Sequence, residues 1–171
     1  ERNADIVHMA TYAPLFAHVE GWQWRPDMIW FDNLRSVRTA SYYVQQLFSH
    51  NKGTNVLPLT MNRKAVTGAS DQNGLFASAV YDENEKNIIV KIVNTSDKTQ
   101  SLKLTFNGLK RNERLTSGKL ITLSSSDIEA ENTLDNPALI IPVENDLSIN
   151  GNVLDTNIRA YTFKIYKIKK L

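Results

Sequence analysis

From residue 75 onward the sequence is a series of short runs rich in β-branched and aromatic residues, separated by Asn, Asp, Gly and Ser. The runs are LFASAVYD (75–82), NIIVKIVN (87–94), SLKLTF (101–106), KLITLS (119–124), ALIIPV (138–143) and IRAYTFKIYKIKK (158–170). Strands of this length and spacing, broken by turn-forming residues, pair as an antiparallel sheet closed on a second layer. The polar stretch Glu83-Asn84-Glu85-Lys86 between the first two runs is a hairpin turn by composition. Leu102, Leu104 and Phe106 alternate with Ser101, Lys103 and Thr105, so one face of that strand points inward. In the last run Ala160, Thr162 and Lys164 oppose Tyr161, Phe163 and Ile165, and the two faces mix polar and apolar groups. The expectation for residues 54–171 is a mainly β domain, an antiparallel β-sandwich of jelly-roll type.

The first 53 residues have a different period. Ile6, Val7, Met9, Ala10, Tyr12 and Ala13 form a near-continuous apolar run within 5–16. Such a run predicts a strand buried on both faces, as in a parallel sheet. Further on, in TASYYVQQLFSHNKG (39–53), Tyr43, Val44, Leu47 and Phe48 form one stripe of an amphipathic helix. Thr39 or Ser41 can cap its start, and Gly53 fits the position just past its end. Residues 1–53 therefore read as one β-loop-α unit of an α/β fold, with a boundary near Lys52 to Thr54. One such unit cannot bury both of its faces. The abrupt opening ERNADIVHMATYAPLF predicts that part of the fold lies upstream, and that the exposed apolar surface favours self-association.

Composition removes several function classes. Among 171 residues, 20 basic and 18 acidic side chains leave a net charge of +2, which gives no electrostatic argument for nucleic acid or an anionic membrane. Lys164, Lys167, Lys169 and Lys170 are spread along a strand and read as a solvated edge. With no cysteine there is no disulfide, zinc-thiolate site or cysteine nucleophile. The absence of cysteine leaves the compartment open, periplasm and extracellular space included. No apolar run approaches the ~20 residues of a membrane span. His8, His18 and His50 lack metal-ligand spacing, and neither a metal nor any other cofactor is implied. No Gly-rich phosphate loop is present, and Ser41 and Ser124 to Ser126 lack a nucleophile-elbow context.

All three tryptophans, Trp22, Trp24 and Trp30, fall within EGWQWRPDMIWFDN (20–33). A core needs its large rings dispersed; a clustered set serves a surface. Indole faces stack on the C–H faces of sugars, so this loop can bind carbohydrate. Aromatic loops also cover barrel ends or dock onto neighbouring domains, and Trp30 with Phe31 can pack while Trp22 and Trp24 stay near a site. Glu20, Asp27 and Asp32 are the nearby carboxylates, but their spacing carries no signature of a glycosidase pair. Asp27, following Pro26, reads as the start of a turn or helix. His18 sits just past the apolar run, where α/β barrels place site residues, although a structural histidine fits there equally.

NADIVHMATYAPLFAHVEGWQWRPDMIWFDNLRS, followed by SYYVQQLFSHNKGT, closely resembles the C-terminal part of α-L-arabinofuranosidases of glycoside hydrolase family 51. The matching positions are Met9, Tyr12 to Phe16, Trp24, Pro26, Asp27, Ile29, Phe31, Asp32, Tyr42, Tyr43, Gln45 and Phe48. Asn132, Asp135, Asn136, Pro137 and Pro142 of NTLDNPALIIPV extend the resemblance, as does AYTFKIYKI, where Thr162 replaces the usual serine.

The resemblance implies a (β/α)₈ barrel followed by a jelly-roll sandwich, with residues 1–53 as the last β-loop-α unit of the barrel. It implies a retaining hydrolase that releases terminal α-L-arabinofuranosyl groups from arabinan- or arabinoxylan-type polysaccharides. Its two catalytic glutamates would stand about 5–5.5 Å apart and lie upstream of Glu1. This chain would then hold no catalytic residue and be inactive alone, its partner in the full-length enzyme being an arabinofuranosyl oligo- or polysaccharide. The loop after the eighth strand opens on the face where barrel active sites form. On that basis His18, Trp22, Gln23 and Trp24 are the candidate substrate-binding residues, and Glu20 is not the nucleophile. The competing class is a non-catalytic carbohydrate-binding module, which would carry its aromatics on the sandwich. The region 54–171 has no tryptophan, and Tyr81, Tyr161 and Tyr166 read as strand positions.

Overall fold

A computed structural model describes residues 1–66 and 72–171. The chain divides into two compact units, one formed by Glu1–Asn51 with Asp127–Pro142, the other by Lys52–Ser126 with Val143–Leu171.

The first unit holds a three-stranded sheet and the helix. Strand β1 (Phe16–His18) pairs in parallel with β2 (Ile29–Phe31), which pairs antiparallel with β3 (Ser36–Arg38). The expected two-faced strand over 5–16 does not form. Residues 2–6 are turns, and Ile6, Val7 and Met9 are 76%, 57% and 83% exposed. The reason is pairing. A strand needs a ladder partner, and the run first finds one at Pro14 and Leu15, whose carbonyls accept from Met28 and Ile29.

Helix α1 (Ala40–His50) begins at Thr39, whose Oγ1 accepts from the Tyr42 amide at 3.4 Å. Of the predicted stripe, Leu47 is buried, and Tyr43, Val44 and Phe48 are half-buried. The end of the helix differs from expectation. Asn51 closes it, and both its backbone and side-chain N–H groups donate to the Leu47 carbonyl. Gly53 is no C′ cap. A Cβ there would stand 2.6 Å from the Val80 side chain, so the glycine permits close approach to a strand.

ALIIPV does not form a strand either, except that its last residue, Val143, opens β11 (Val143–Leu147). Asn132 (4% exposed) takes over the pairing that a ladder would supply. Its Nδ2 donates to the carbonyls of Ile140 (2.8 Å) and Arg38 (2.9 Å), and its Oδ1 accepts from the Ile140 amide (2.7 Å). Pro142 has no N–H to offer a neighbour. The segment Asp127–Pro142 thus belongs with the first unit rather than with an unbroken block from 54 to 171.

The second unit is mainly β. Its strands are β4 (Asn55–Val56), β5 (Thr60–Met61), β6 (Lys64–Ala65), β7 (Leu75–Asp82), β8 (Asn87–Asn94), β9 (Gln100–Thr105), β10 (Leu115–Ser124), β11 (Val143–Leu147), β12 (Val153–Ile158) and β13 (Thr162–Lys170). Six of them form an antiparallel sheet in the order β11-β10-β13-β8-β7-β4; β9 pairs with β12, and β5 with β6. The predicted β7–β8 hairpin forms with Asp82 opposite Asn87. Asp82 Oδ1 accepts from the Asn84 and Glu85 amides, and Lys86 takes φ +53° to close the turn.

Alternate residues of the large sheet build the core. Ala77, Ala79, Ile88, Val90, Ile92, Tyr166 and Ile168 are buried in one cluster, and Leu102, Leu104 and Leu154 of the β9–β12 pair pack against it. The other face of β8 and β13 is buried as well, at Ile89, Lys91, Phe163 and Ile165, which explains the mixed pattern of the last run. Each fully buried aliphatic side chain here contributes about 1.5–3 kcal/mol. At Gly118 a register shift brings β10 against β13 so closely that a Cβ would collide with the Lys167 carbonyl. Buried Asn94 pins the end of β8. Its Nδ2 donates to the carbonyls of Lys98, Ile158 and Arg159, and its Oδ1 accepts from the Ser96 amide and hydroxyl.

Candidate functional site

The loop from Val19 to Met28 leaves the C-terminal end of β1 and returns to β2, so the parallel pairing of these strands fixes both ends of the tryptophan stretch. His18 is the last residue of β1 and lies opposite Phe31 of β2. The two rings meet edge to face at 5.2 Å, and His18 Nδ1 accepts the Glu20 amide at 3.2 Å. That bond fixes the imidazole plane and leaves Nε2 as the free nitrogen.

Trp22 is 47% exposed and meets Trp30 edge to face at 5.8 Å. Trp24 is 59% exposed. Gln23 is exposed beside them. The four candidate residues therefore do not share one packed cluster. His18 stands on Phe31, Trp22 stands on Trp30, and Gln23 and Trp24 are exposed in the loop. Trp30 is half-buried and acts as the floor on which Trp22 rests.

Arg25 organises the group, and it was not among the residues expected in the site. Its guanidinium carbon lies 5.2 Å from the Trp22 ring centre and 5.0 Å from that of Trp30. Its Nη1 also donates to both carboxylate oxygens of Glu131, at 3.2 and 3.0 Å. Glu131 lies in the Asp127–Pro142 segment. The sequence around Arg25 gave no sign of this partner, because the two residues are 106 positions apart.

The carboxylates near the loop are not arranged as a glycosidase pair. Glu20 is exposed. Asp32 is a structural acceptor: its Oδ1 takes the Leu34 and Arg35 amides at 2.8 and 2.6 Å, and its Oδ2 takes the Arg35 guanidinium. Those backbone amides, followed by Arg35, hold its carboxyl below the usual carboxylate range. Arg35 in turn is held protonated by Asp135 and Asp32. Asp27 starts neither a turn nor a helix. It is 1% exposed, in the segment just before β2. Among the described residues no group of three His, Asp or Glu side chains could hold a metal ion, and no helix is long and apolar enough to cross a membrane.

A family model for the α-L-arabinofuranosidase C-terminal domain matches residues 1–162. The chain belongs to this family. α-L-Arabinofuranosidase 1 of Arabidopsis thaliana is 30% identical over 99% of the chain, and α-L-arabinofuranosidase A of Aspergillus niger is 32% identical over 96%. The chain spans about a quarter of their length, 24% of each. An arabinose-bound MgGH51 α-L-arabinofuranosidase superposes on 99% of the chain with a TM-score of 0.86 and 28% identity, and the match covers 25% of that enzyme. The arabinose complex of the Thermotoga maritima α-L-arabinofuranosidase shares the fold, with a TM-score of 0.73 over 97% of the chain and 35% of that protein at 17% identity.

Proposed function

We propose that this chain is the C-terminal portion of a retaining glycoside hydrolase that releases terminal α-L-arabinofuranosyl groups from arabinan- or arabinoxylan-type polysaccharides. On this reading Glu1–Asn51 supplies the last β-loop-α unit of a (β/α)₈ barrel. The β-rich unit is a jelly-roll sandwich that buttresses the barrel. The observation that carries the proposal is the tryptophan loop itself, in a chain of this family. Trp22 and Trp24 keep exposed ring surface, and the loop begins at the C-terminal end of a strand with a parallel neighbour. His18, Trp22, Gln23 and Trp24 would wall the arabinofuranose pocket. The exposed apolar stretch Ile6 to Phe16 would become a fully paired barrel strand.

The chain itself would carry no hydrolysis, because none of Glu20, Asp27 and Asp32 has the setting of a retaining carboxylate pair. A sugar-binding surface on the β-rich unit has little to stand on. Tyr166 is 1% exposed, and Lys170 Nζ lies 4.5 Å over the Tyr81 ring.

The test compares hydrolysis of 4-nitrophenyl α-L-arabinofuranoside by the 171-residue chain and by the chain extended upstream through the whole barrel. Activity is expected only in the extended protein. There, Trp22→Ala and Trp24→Ala should each lower kcat/KM about tenfold, the loss of one stacking contact of ~1.4 kcal/mol. Turnover by the 171-residue chain alone, or unchanged kcat/KM in both variants, overturns the proposal.

A further inference from the structure

Three asparagines of the chain stand directly before a glycine: Asn73-Gly74, Asn107-Gly108 and Asn150-Gly151. All three lie in the β-rich unit, and all three asparagines are exposed. In such a pair the glycine nitrogen is a nucleophile within reach of the asparagine side-chain carbonyl carbon, and no Cβ hinders its approach. Ring closure needs the main chain to rotate between the two residues, and hydrogen bonds that fix the turn oppose that rotation. Sequence alone makes the three pairs equivalent.

The fold separates them. Gly74 is clamped: its carbonyl accepts from the Thr95 amide at 2.9 Å and from Thr95 Oγ1 at 3.0 Å, and the Leu75 amide donates to the Gln72 carbonyl across the turn. Asn150 forms a bridge with Val153. The far side of that turn is tied to Phe106, whose amide donates to the Asn152 carbonyl at 2.8 Å and whose carbonyl accepts from Asn152 Nδ2 at 3.2 Å. Asn107 and Gly108 follow that anchor and lie outside any strand. Among the described residues neither makes a hydrogen bond. Gly108 is exposed, takes φ +82°, and would have nothing within 4 Å of a Cβ.

We propose that Asn107 is a site of spontaneous deamidation, with the Gly108 nitrogen as the attacking group. A bond forms between that nitrogen and Asn107 Cγ, the Cγ–Nδ2 bond breaks, and ammonia leaves with the proton of the Gly108 amide. Water then opens the succinimide at either carbonyl, to aspartate or isoaspartate. The net change is side-chain amide plus water to carboxylic acid plus ammonia, and the acid ionises at neutral pH. Isoaspartate would also lengthen the main chain between Phe106 and Leu109, both of which pack against the core cluster. The inference concerns the β-rich unit and does not depend on any hydrolytic role.

The 171-residue chain is aged at mildly alkaline pH, folded and in urea, and digested for peptide mapping by mass with isoaspartyl methyltransferase labelling. In the folded chain Asn107 should react about fivefold or more faster than Asn73 or Asn150, the difference made by one retained hydrogen bond. In urea the three rates should converge. Asn107→Gln, which disfavours ring closure, should remove the fast release of ammonia and leave the other two sites unchanged. Faster reaction at Asn73 or Asn150, equal rates at all three in the folded chain, or the same lead for Asn107 in urea overturns the proposal. The wild-type map decides the matter even if Asn107→Gln fails to fold.

Discussion

Arg25 Nη1 reaches Glu131 Oε2 at 3.0 Å across 106 residues of sequence, while the same guanidinium lies over the rings of Trp22 and Trp30. The contact joins the tryptophan loop to the Asp127–Pro142 segment within one compact unit. It holds the loop through charge and ring contacts more than through burial, since both charged side chains are over half exposed.

Arg25→Ala should therefore change the loop more than the stability. An exposed ion pair contributes about 0–1 kcal/mol, and each cation–π contact at such a site about 0.5–1 kcal/mol. The expected outcome is a weakened near-UV circular dichroism signal and a red-shifted tryptophan emission, with an urea midpoint close to that of the parent. Arg25→Lys keeps the charge but loses the planar fork, and should restore the stability more fully than the spectrum. An unchanged tryptophan spectrum in Arg25→Ala would count against an organising role.

Asn132→Ala should release the segment that Asn132 ties down. The substitution leaves the Ile140 amide and carbonyl and the Arg38 carbonyl without their side-chain partner. Stranding buried groups of this kind costs on the order of 2–3 kcal/mol. Amide exchange should accelerate at Ile140 and through Asp127–Pro142, while Ile89 and Ile165, deep in the large sheet, keep their protection. Slow exchange at Ile140 in the variant would show that packing, not the amide, holds the segment.

Asp32 makes acid stability a local readout. Its folded-state pKa is depressed, first by the Leu34 and Arg35 amides and then by the Arg35 side chain. The folded state thus binds fewer protons than the unfolded chain near the ordinary carboxylate pKa of about 4. Stability from this group is present above that value and is lost as pH falls through the depressed folded value. Asp32→Asn should flatten the acid side of the stability curve, and a carboxyl carbon titration should place Asp32 below the ordinary carboxylate value. A normal titration midpoint for Asp32 would refute this. Salt should weaken the Arg35 contribution more than that of the backbone amides.

The β7–β8 hairpin was legible residue by residue. The runs 75–82 and 87–94 coincide with β7 and β8, and the polar stretch between them is their turn. These two strands are neighbours in sequence, so turn chemistry alone sets their pairing. Strands β11 and β12 carried weaker signals. VENDL has polar residues at its three central positions, and it pairs as a strand with β10, where Glu144 and Asp146 also reach Lys119. ALIIPV carried a misleading signal: its apolar residues suited a strand, but Asn132 satisfies its backbone instead.

At the candidate site the sequence determined the residue types: a tryptophan cluster behind an apolar run, a helix start at Thr39 or Ser41 and a stretch matching a known family. These are local properties, fixed by composition, period and capping over a few positions. Tertiary structure alone decided that Asp27 is buried while Glu20 is not, that Arg25 meets Glu131, and that Asp127–Pro142 joins the first unit. Each of these depends on which distant backbone comes alongside, and no local period encodes a partner more than a hundred residues away.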